Sequence, residues 1–166
     1  MDKILIIGFG KLGSHLYYSL KSTGKYKVTA AKKRSTKKSI LAGLIRSADV
    51  IFICVQDSKI SKAAESIIKS GAALKGKTIF HTSGALTSDA VAELKQHGSH
   101  TGSFHPVQSF AKRTLKLTDS FKDIFAAIEG DKSAIKKAYT IAKSIGSIPF
   151  TIKKENKVYH HICCVM

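Results

Sequence analysis

The stretch IIGFGKLGSHL, from Ile6 to Leu16, decides the fold, because it places three glycines between a short apolar run and an amphipathic segment. Gly8, Gly10 and Gly13 have the spacing G-x-G-x-x-G. In a strand–turn–helix unit, the first glycine permits a tight turn, the second lets a diphosphate approach the backbone, and the third lets helix and strand pack closely. The alternative is that the glycines are only turn residues. The flanking strand and helix patterns favour a dinucleotide-binding turn.

Outward from this motif, short apolar runs alternate with helix-length segments along the 166 residues. The strand candidates are KILIIGF, KVTAA, DVIFICV, KTIFHTS, HTGSFH, IFAAIE and SIPFTI. The helix candidates are KLGSHLYYSLKST, KKSILAGLIRSA, SKISKAAESIIKSGAAL, TSDAVAELKQHG and DKSAIKKAYTIAKSIG. This alternation predicts an α/β fold of the Rossmann type, with a doubly wound, mostly parallel sheet and helices on both faces.

We expect two regions in this chain. Residues 1–153 are predicted to form the dinucleotide-binding Rossmann domain. The remaining residues, 154–166, begin a new helical pattern, and we expect them to be the start of a truncated C-terminal helix or domain. Within the first region, Thr87 or Ser88 is expected to cap a helix that Gly98 closes.

Composition narrows the classes of partner. The net charge is +17, but 25 of the 28 basic residues are lysines and they are dispersed, which indicates a soluble surface more than a specific nucleic-acid groove. The longest apolar runs, of about six residues, are far too short for a bilayer, so no membrane partner is expected. No export signal is visible and the three cysteines form no disulfide framework, so we expect a cytoplasmic protein.

The loop after the second strand candidate predicts which dinucleotide binds. An NAD site would place Asp or Glu there to hold the ribose hydroxyls, but no carboxylate occurs from residue 3 to residue 48. The loop instead offers Lys33, Arg34 and Ser35, which would bind the 2′-phosphate of NADP(H). A solvated loop is the alternative. The predicted cofactor contacts are Gly8, Phe9, Gly10, Lys11, Leu12, Gly13, Lys33, Arg34, Ser35, Val55, Gln56 and Asp57.

Two later loops carry candidate chemistry at the carboxyl ends of the fourth and fifth strand candidates. His81 and His105 are candidates for donating a proton as hydride reaches a carbonyl or imine carbon, and Ser83 could hold a substrate oxygen. For each histidine the alternative is a loop residue bonded to backbone. At the chain end, His160 is spaced to approach Cys163 and Cys164, but no strong zinc pattern is present and no metal is predicted.

The motifs GFGKLG, K-R-S, V-x-D, HTSGAL and GSFHPVQSF together resemble a known family. It comprises two-domain Rossmann-like proteins with a helical C-terminal domain of unknown function, often labelled deazaflavin-coenzyme-dependent NADP oxidoreductase. Distant relatives are pyrroline-5-carboxylate reductase and the 6-phosphogluconate and 3-hydroxyacid dehydrogenases. The label is not taken as a prediction of the deazaflavin coenzyme.

The resemblance implies more about the whole protein. A segment similar to KVYHHICCVM opens the long helix of the family's C-terminal domain, which builds a homodimer and closes the pocket for a small-molecule substrate. We therefore expect the NADP(H)-binding domain of an oxidoreductase that moves hydride to or from a small carbonyl, imine or hydroxyl compound. The alternative is a non-catalytic module that senses a dinucleotide or binds a partner.

Overall fold

The apolar runs become strands of one sheet in the computed structural model, which describes residues 1–31 and 36–165, without the side chains of residues 163–165. Within this part of the chain the sheet has seven strands: β1 (Lys3–Ile7), β2 (Lys27–Ala31), β3 (Val50–Ile53), β4 (Thr78–His81), β5 (His100–Pro106), β6 (Phe125–Gly130) and β7 (Ile148–Thr151). Each strand coincides with one of the predicted runs, although β5 and β6 extend one residue further, to Pro106 and Gly130.

The order across the sheet is β2-β1-β3-β4-β5-β6-β7. Strands β1 to β5 are mutually parallel, whereas β6 runs antiparallel to β5 and β7 runs parallel to β6. The carboxyl ends of the first five strands therefore share one edge of the sheet. The order of the strands reverses at β1, which lies between β2 and β3, and parallel sheets bind ligands at the carboxyl ends beside such a reversal. The predicted Rossmann-type fold is confirmed.

Helices cover both faces of the sheet. Their bounds are α1 (Lys11–Ser22), α2 (Lys38–Ser47), α3 (Ile60–Lys69), α4 (Lys132–Ser144) and α5 (Lys157–Val165). In β1, Ile4 and Ile6 belong to the core cluster under α1 and α4, and Leu5 belongs to the cluster under α2 and α3. This alternation along one strand explains why its apolar run is continuous: both faces of the sheet are buried.

One predicted helix differs in the structure. The segment Ser88–His97 is built of 3-10 turns and is interrupted at Val91, whose φ of −129° is not helical. A β-branched residue at this position disfavours a continuous α-helix. The predicted ends are nevertheless confirmed: the Thr87 side chain accepts a hydrogen bond from the Asp89 amide, and Gly98 is left-handed with φ of +81°.

The third helix is also shorter than the sequence pattern predicts. A 3-10 turn, Asp57–Lys59, precedes it, and the helix ends at Lys69, just before Gly71 adopts a left-handed conformation with φ of +73°. In the described ranges, no helix combines the length and apolar character that crossing a membrane requires.

Candidate functional site

The glycine-rich turn joins β1 to α1, and two of its glycines are required by close packing. Gly8 has φ of +95°, and a Cβ atom there would lie 2.4 Å from the Cys54 carbonyl oxygen. A Cβ atom on Gly13 would lie 2.1 Å from the Gly8 carbonyl oxygen. Both positions therefore exclude any side chain, which accounts for the first and third glycines of the motif without a ligand.

Gly10 is different, because a Cβ atom there would meet no atom within 4 Å. Its φ of −79° is accessible to any residue, so neither conformation nor packing requires glycine. Gly10 is exposed and is the N-cap of α1, where no described side chain caps the helix and its first turn contains no acidic residue. This uncovered helix N-terminus leaves room for a phosphate group at the backbone.

The remaining predicted contacts of this turn surround that opening. Lys11 is exposed and Leu12 is half-buried in the first turn of α1, whereas the Phe9 side chain is only 6% exposed. Phe9 packs edge-on against Tyr17, with 5.3 Å between the ring centroids. The predicted contacts Lys33, Arg34 and Ser35 lie outside the described residues.

The loop after β3 lies beside the turn and is linked to the loop after β4. Val55 is next to Gly8, and Gln56 and Asp57 follow it on the surface. The Ser83 hydroxyl donates to Asp57 Oδ2 over 2.7 Å and accepts hydrogen bonds from the amides of residues 85 and 86. Ser83 therefore holds two loops together, and its hydroxyl proton is used in the bond to Asp57.

His81 is fully buried at the end of β4, with both ring nitrogens bonded to backbone. Nε2 lies 2.9 Å from the Thr87 carbonyl oxygen, and Nδ1 lies 3.2 Å from the Ser83 amide nitrogen. The carbonyl can only accept and the amide can only donate, so the ring is the neutral tautomer protonated at Nε2. Burial lowers the pKa of His81 to about 4. This geometry favours the backbone-bonded alternative over proton transfer.

His105 lies at the end of β5 and faces the turn after β4. A Cβ atom on Gly84 would lie 2.7 Å from His105 Nε2 and 2.4 Å from His161 Nδ1, so glycine lets both rings approach the backbone. The Nδ1 atoms of His105 and His161 are buried without a hydrogen-bond partner. Burial, reinforced by the positive charge of Lys157, lowers the pKa of His105 to about 4. His105 is therefore neutral at pH 7.

Lys157 is a candidate site residue that the sequence reasoning missed. It opens α5, is fully buried, and its ammonium donates to Ser103 Oγ. The Ser103 hydroxyl donates in turn to the Ser83 carbonyl oxygen over 3.3 Å. Burial lowers the pKa of Lys157 to about 8, against the opposing influence of the carboxylates of Glu129 and Asp57. Ligands bind at the carboxyl ends of the strands in this type of sheet, and a buried lysine with a lowered pKa near those ends is typical of functional sites.

A buried carboxylate supports the wall behind this lysine. Glu129 is 3% exposed and accepts from the Ser88 amide and hydroxyl over 2.6 and 2.7 Å. It fixes the start of the 3-10 segment after β4, and so the end of the loop that contains Ser83. Within the described residues, no group of three or more His, Cys, Asp or Glu side chains is arranged to hold a metal ion, and the side chains of Cys163 and Cys164 lie outside that description.

Comparison with known proteins connects this site to a family. Residues 3–83 match the family model described as "NADP oxidoreductase coenzyme F420-dependent". The matched part runs from β1 through the glycine turn to the loop after β4. No curated protein sequence matches the chain significantly.

Solved structures share the fold of nearly the whole chain. A protein of Bacteroides fragilis described as a candidate NADP oxidoreductase is 21% identical, with a TM-score of 0.75 over 99% of this chain and 65% of its own. Synechocystis arogenate dehydrogenase is 14% identical, with a TM-score of 0.75 over 93% of this chain and 61% of its own. Plasmodium falciparum pyrroline carboxylate reductase, solved with NADP bound, is 16% identical, with a TM-score of 0.65 over 93% of this chain and 59% of its own.

This chain therefore spans less than two thirds of the length of each of these three proteins. At these identities the likeness is one of fold. The family model supports the resemblance predicted from the motifs: residues 3–83, about half of the chain, are similar to the family described as "NADP oxidoreductase coenzyme F420-dependent".

Proposed function

We propose that the chain is the NADP(H)-binding part of an oxidoreductase that transfers hydride to or from a small carbonyl, imine or hydroxyl compound. The observation that carries the proposal is the opening above Gly10. Gly8 and Gly13 are glycines for internal reasons, but Gly10 has open space where its side chain would be. A diphosphate that approaches the backbone at the uncovered N-terminus of α1 explains that glycine.

The choice of NADP(H) over NAD(H) rests on charge. Between residues 3 and 48 the sequence contains no carboxylate that could hold the 2′ and 3′ hydroxyls of NAD ribose. The stretch after β2 contains Lys33, Arg34 and Ser35, which suit a 2′-phosphate. Among the neighbours in fold, pyrroline carboxylate reductase was solved with NADP bound and a prephenate dehydrogenase with NAD+ bound, so the choice rests on the residues of this chain.

Proton transfer is best assigned to Lys157, with His105 as its neighbour. Bound NADPH would supply the hydride. Lys157, with its pKa lowered to about 8, remains mostly protonated at pH 7 but gives up its proton more readily than an ordinary lysine. Because Lys157 is fully buried, its proton would reach the oxygen or nitrogen of a substrate through its partly exposed neighbour His105. Neutral His105 would position that atom by a hydrogen bond.

Binding of the two dinucleotides tests the proposal directly. NADPH and NADH are titrated by calorimetry into the native chain, Arg34→Ala and Arg46→Ala. Arg46 is exposed on α2, which covers one face of the sheet, and serves as the matched control. We expect tighter binding of NADPH than of NADH, a loss of that preference in Arg34→Ala alone, and no change in Arg46→Ala. Equal affinities of the native chain for both dinucleotides would refute the choice of NADP(H).

A further inference from the structure

The long connection between β5 and β6, residues 107–124, has neither helix nor strand and lies along α1. We call it the crossing segment. Its inner end is held by Phe121, which is fully buried and packs against the ring of Phe110 with 5.3 Å between centroids. Coil segments of this length are uncommon in compact domains, and binding loops are one of the main classes among them.

Hydrogen bonds fix the crossing segment to the outside of α1. His15 Nδ1 lies 2.6 Å from Ser120 Oγ, and His15 Nε2 lies 3.1 Å from the Lys112 carbonyl oxygen. The Thr114 amide donates to Ser14 Oγ over 3.1 Å. Ser14 and His15 are in the first two turns of the helix, so residues 112–114 are held beside the glycine turn.

This attachment places Arg113 at the turn itself. The guanidinium carbon lies 5.5 Å from the centroid of the Phe9 ring, and Phe9 is the residue between Gly8 and Gly10. Arg113 is exposed, and none of the ion pairs in the described ranges involves it. A guanidinium stacked on an aromatic ring keeps its N–H donors available at the edge of the plane.

We propose that Arg113 binds a phosphate group of the dinucleotide, so that the crossing segment forms one wall of the cofactor site. This inference rests on the proposed function, since it assumes that a dinucleotide binds at the glycine turn. The phosphate is either the diphosphate at the N-terminus of α1 or the 2′-phosphate of NADP(H). A guanidinium suits both, because its fork of donors matches two oxygens of one phosphate group.

The experiment compares Arg113→Leu, Arg113→Lys and the control Arg46→Leu by calorimetric titration with NADPH and NADH. Leucine still covers the Phe9 ring but has no charge, and lysine keeps the charge without the fork. We expect binding to weaken about tenfold or more in Arg113→Leu, by less in Arg113→Lys, and not at all in the control. The dependence of affinity on salt should also be less steep in Arg113→Leu than in the native chain.

The two ligands separate the possible phosphates. An equal loss for NADPH and NADH identifies the diphosphate, and a loss for NADPH alone identifies the 2′-phosphate; both support the inference. Native affinity of Arg113→Leu for both ligands would overturn it and leave the proposed function intact, because Arg113 would then only cover Phe9. If the native chain binds neither dinucleotide, the proposed function itself fails.

Discussion

Alanine substitutions at single glycines of the turn distinguish a glycine that cofactor binding requires from one that folding requires. Gly10→Ala adds a methyl group that meets no protein atom within 4 Å. Gly13→Ala adds the same methyl group 2.1 Å from the Gly8 carbonyl oxygen. The two variants have the same chemistry three residues apart, so each is the matched control of the other.

The expected effects on stability differ in size. At Gly10 the backbone suits alanine, and the lower entropy of the unfolded chain stabilises by about 0.4–1 kcal/mol. Alanine is a poorer N-cap than glycine by a similar amount, so the free energy of unfolding should change by less than about 1 kcal/mol. At Gly13 the methyl group would clash with the backbone carbonyl oxygen of Gly8, a residue that already has a positive φ. Overpacking of this kind lowers the free energy of unfolding by about 1–3 kcal/mol or more.

For Gly10→Ala we expect a large effect on NADPH binding, in contrast to its small effect on stability. Its new methyl group occupies the space through which a diphosphate would reach the amides of α1, so NADPH affinity should fall at least about tenfold, or about 1.4 kcal/mol. Urea denaturation gives the stability of each variant, and calorimetry gives the affinity. If Gly10→Ala binds NADPH as tightly as the native chain does, the reasoning about the diphosphate is refuted. If Gly13→Ala is as stable as the native chain, the reasoning about the packing of the turn is refuted.

Three further predictions concern the buried polar groups. Burial lowers the pKa of Lys157 from 10.5 to about 8, so unfolding takes up a proton between these two pH values. The free energy of unfolding of the native chain should therefore rise by up to roughly 3 kcal/mol from pH 8 to pH 10.5. Denaturation curves of Lys157→Met should lack this rise, and the same pH dependence in the variant and the native chain would contradict the assignment. The pKa of His81 is lowered to about 4, so the NMR shift of its ring should change little between about pH 5 and pH 8. A titration midpoint near neutrality would restore His81 as a proton donor. Glu129→Gln should lower the free energy of unfolding by about 1–3 kcal/mol, because an amide cannot accept both hydrogen bonds from Ser88 equally well. A urea midpoint equal to that of the native chain would contradict this role of the Glu129 carboxylate.

Local signals in the sequence were enough for the fold. The continuous apolar runs predicted strands buried on both faces, and Ile4, Leu5 and Ile6 confirm this by facing opposite helical layers. The glycine spacing predicted the turn, and the structure adds that Gly8 and Gly13 are required by packing alone. These features depend on residues close together in the chain, so a single sequence reveals them.

The site was less predictable because it depends on distant contacts. Lys157 reads as one of 25 lysines until α5 packs against β5 and buries it beside Ser103, 54 residues earlier. The hydroxyl of Ser83 was predicted to hold a substrate oxygen but is bonded to Asp57, a pairing that the separate loops do not reveal. Arg113 likewise reaches the glycine turn only because its segment is attached to α1.

The central claim is that a dinucleotide binds with its diphosphate at Gly10. Titration of the ¹⁵N-labelled chain with NADPH, followed by amide NMR shifts, tests it most directly. We predict that the largest shifts occur at the amides of Gly10, Lys11, Leu12 and Gly13, and that they saturate with NADPH. An absence of saturable shifts, or shifts that leave these four amides unchanged, would contradict the account.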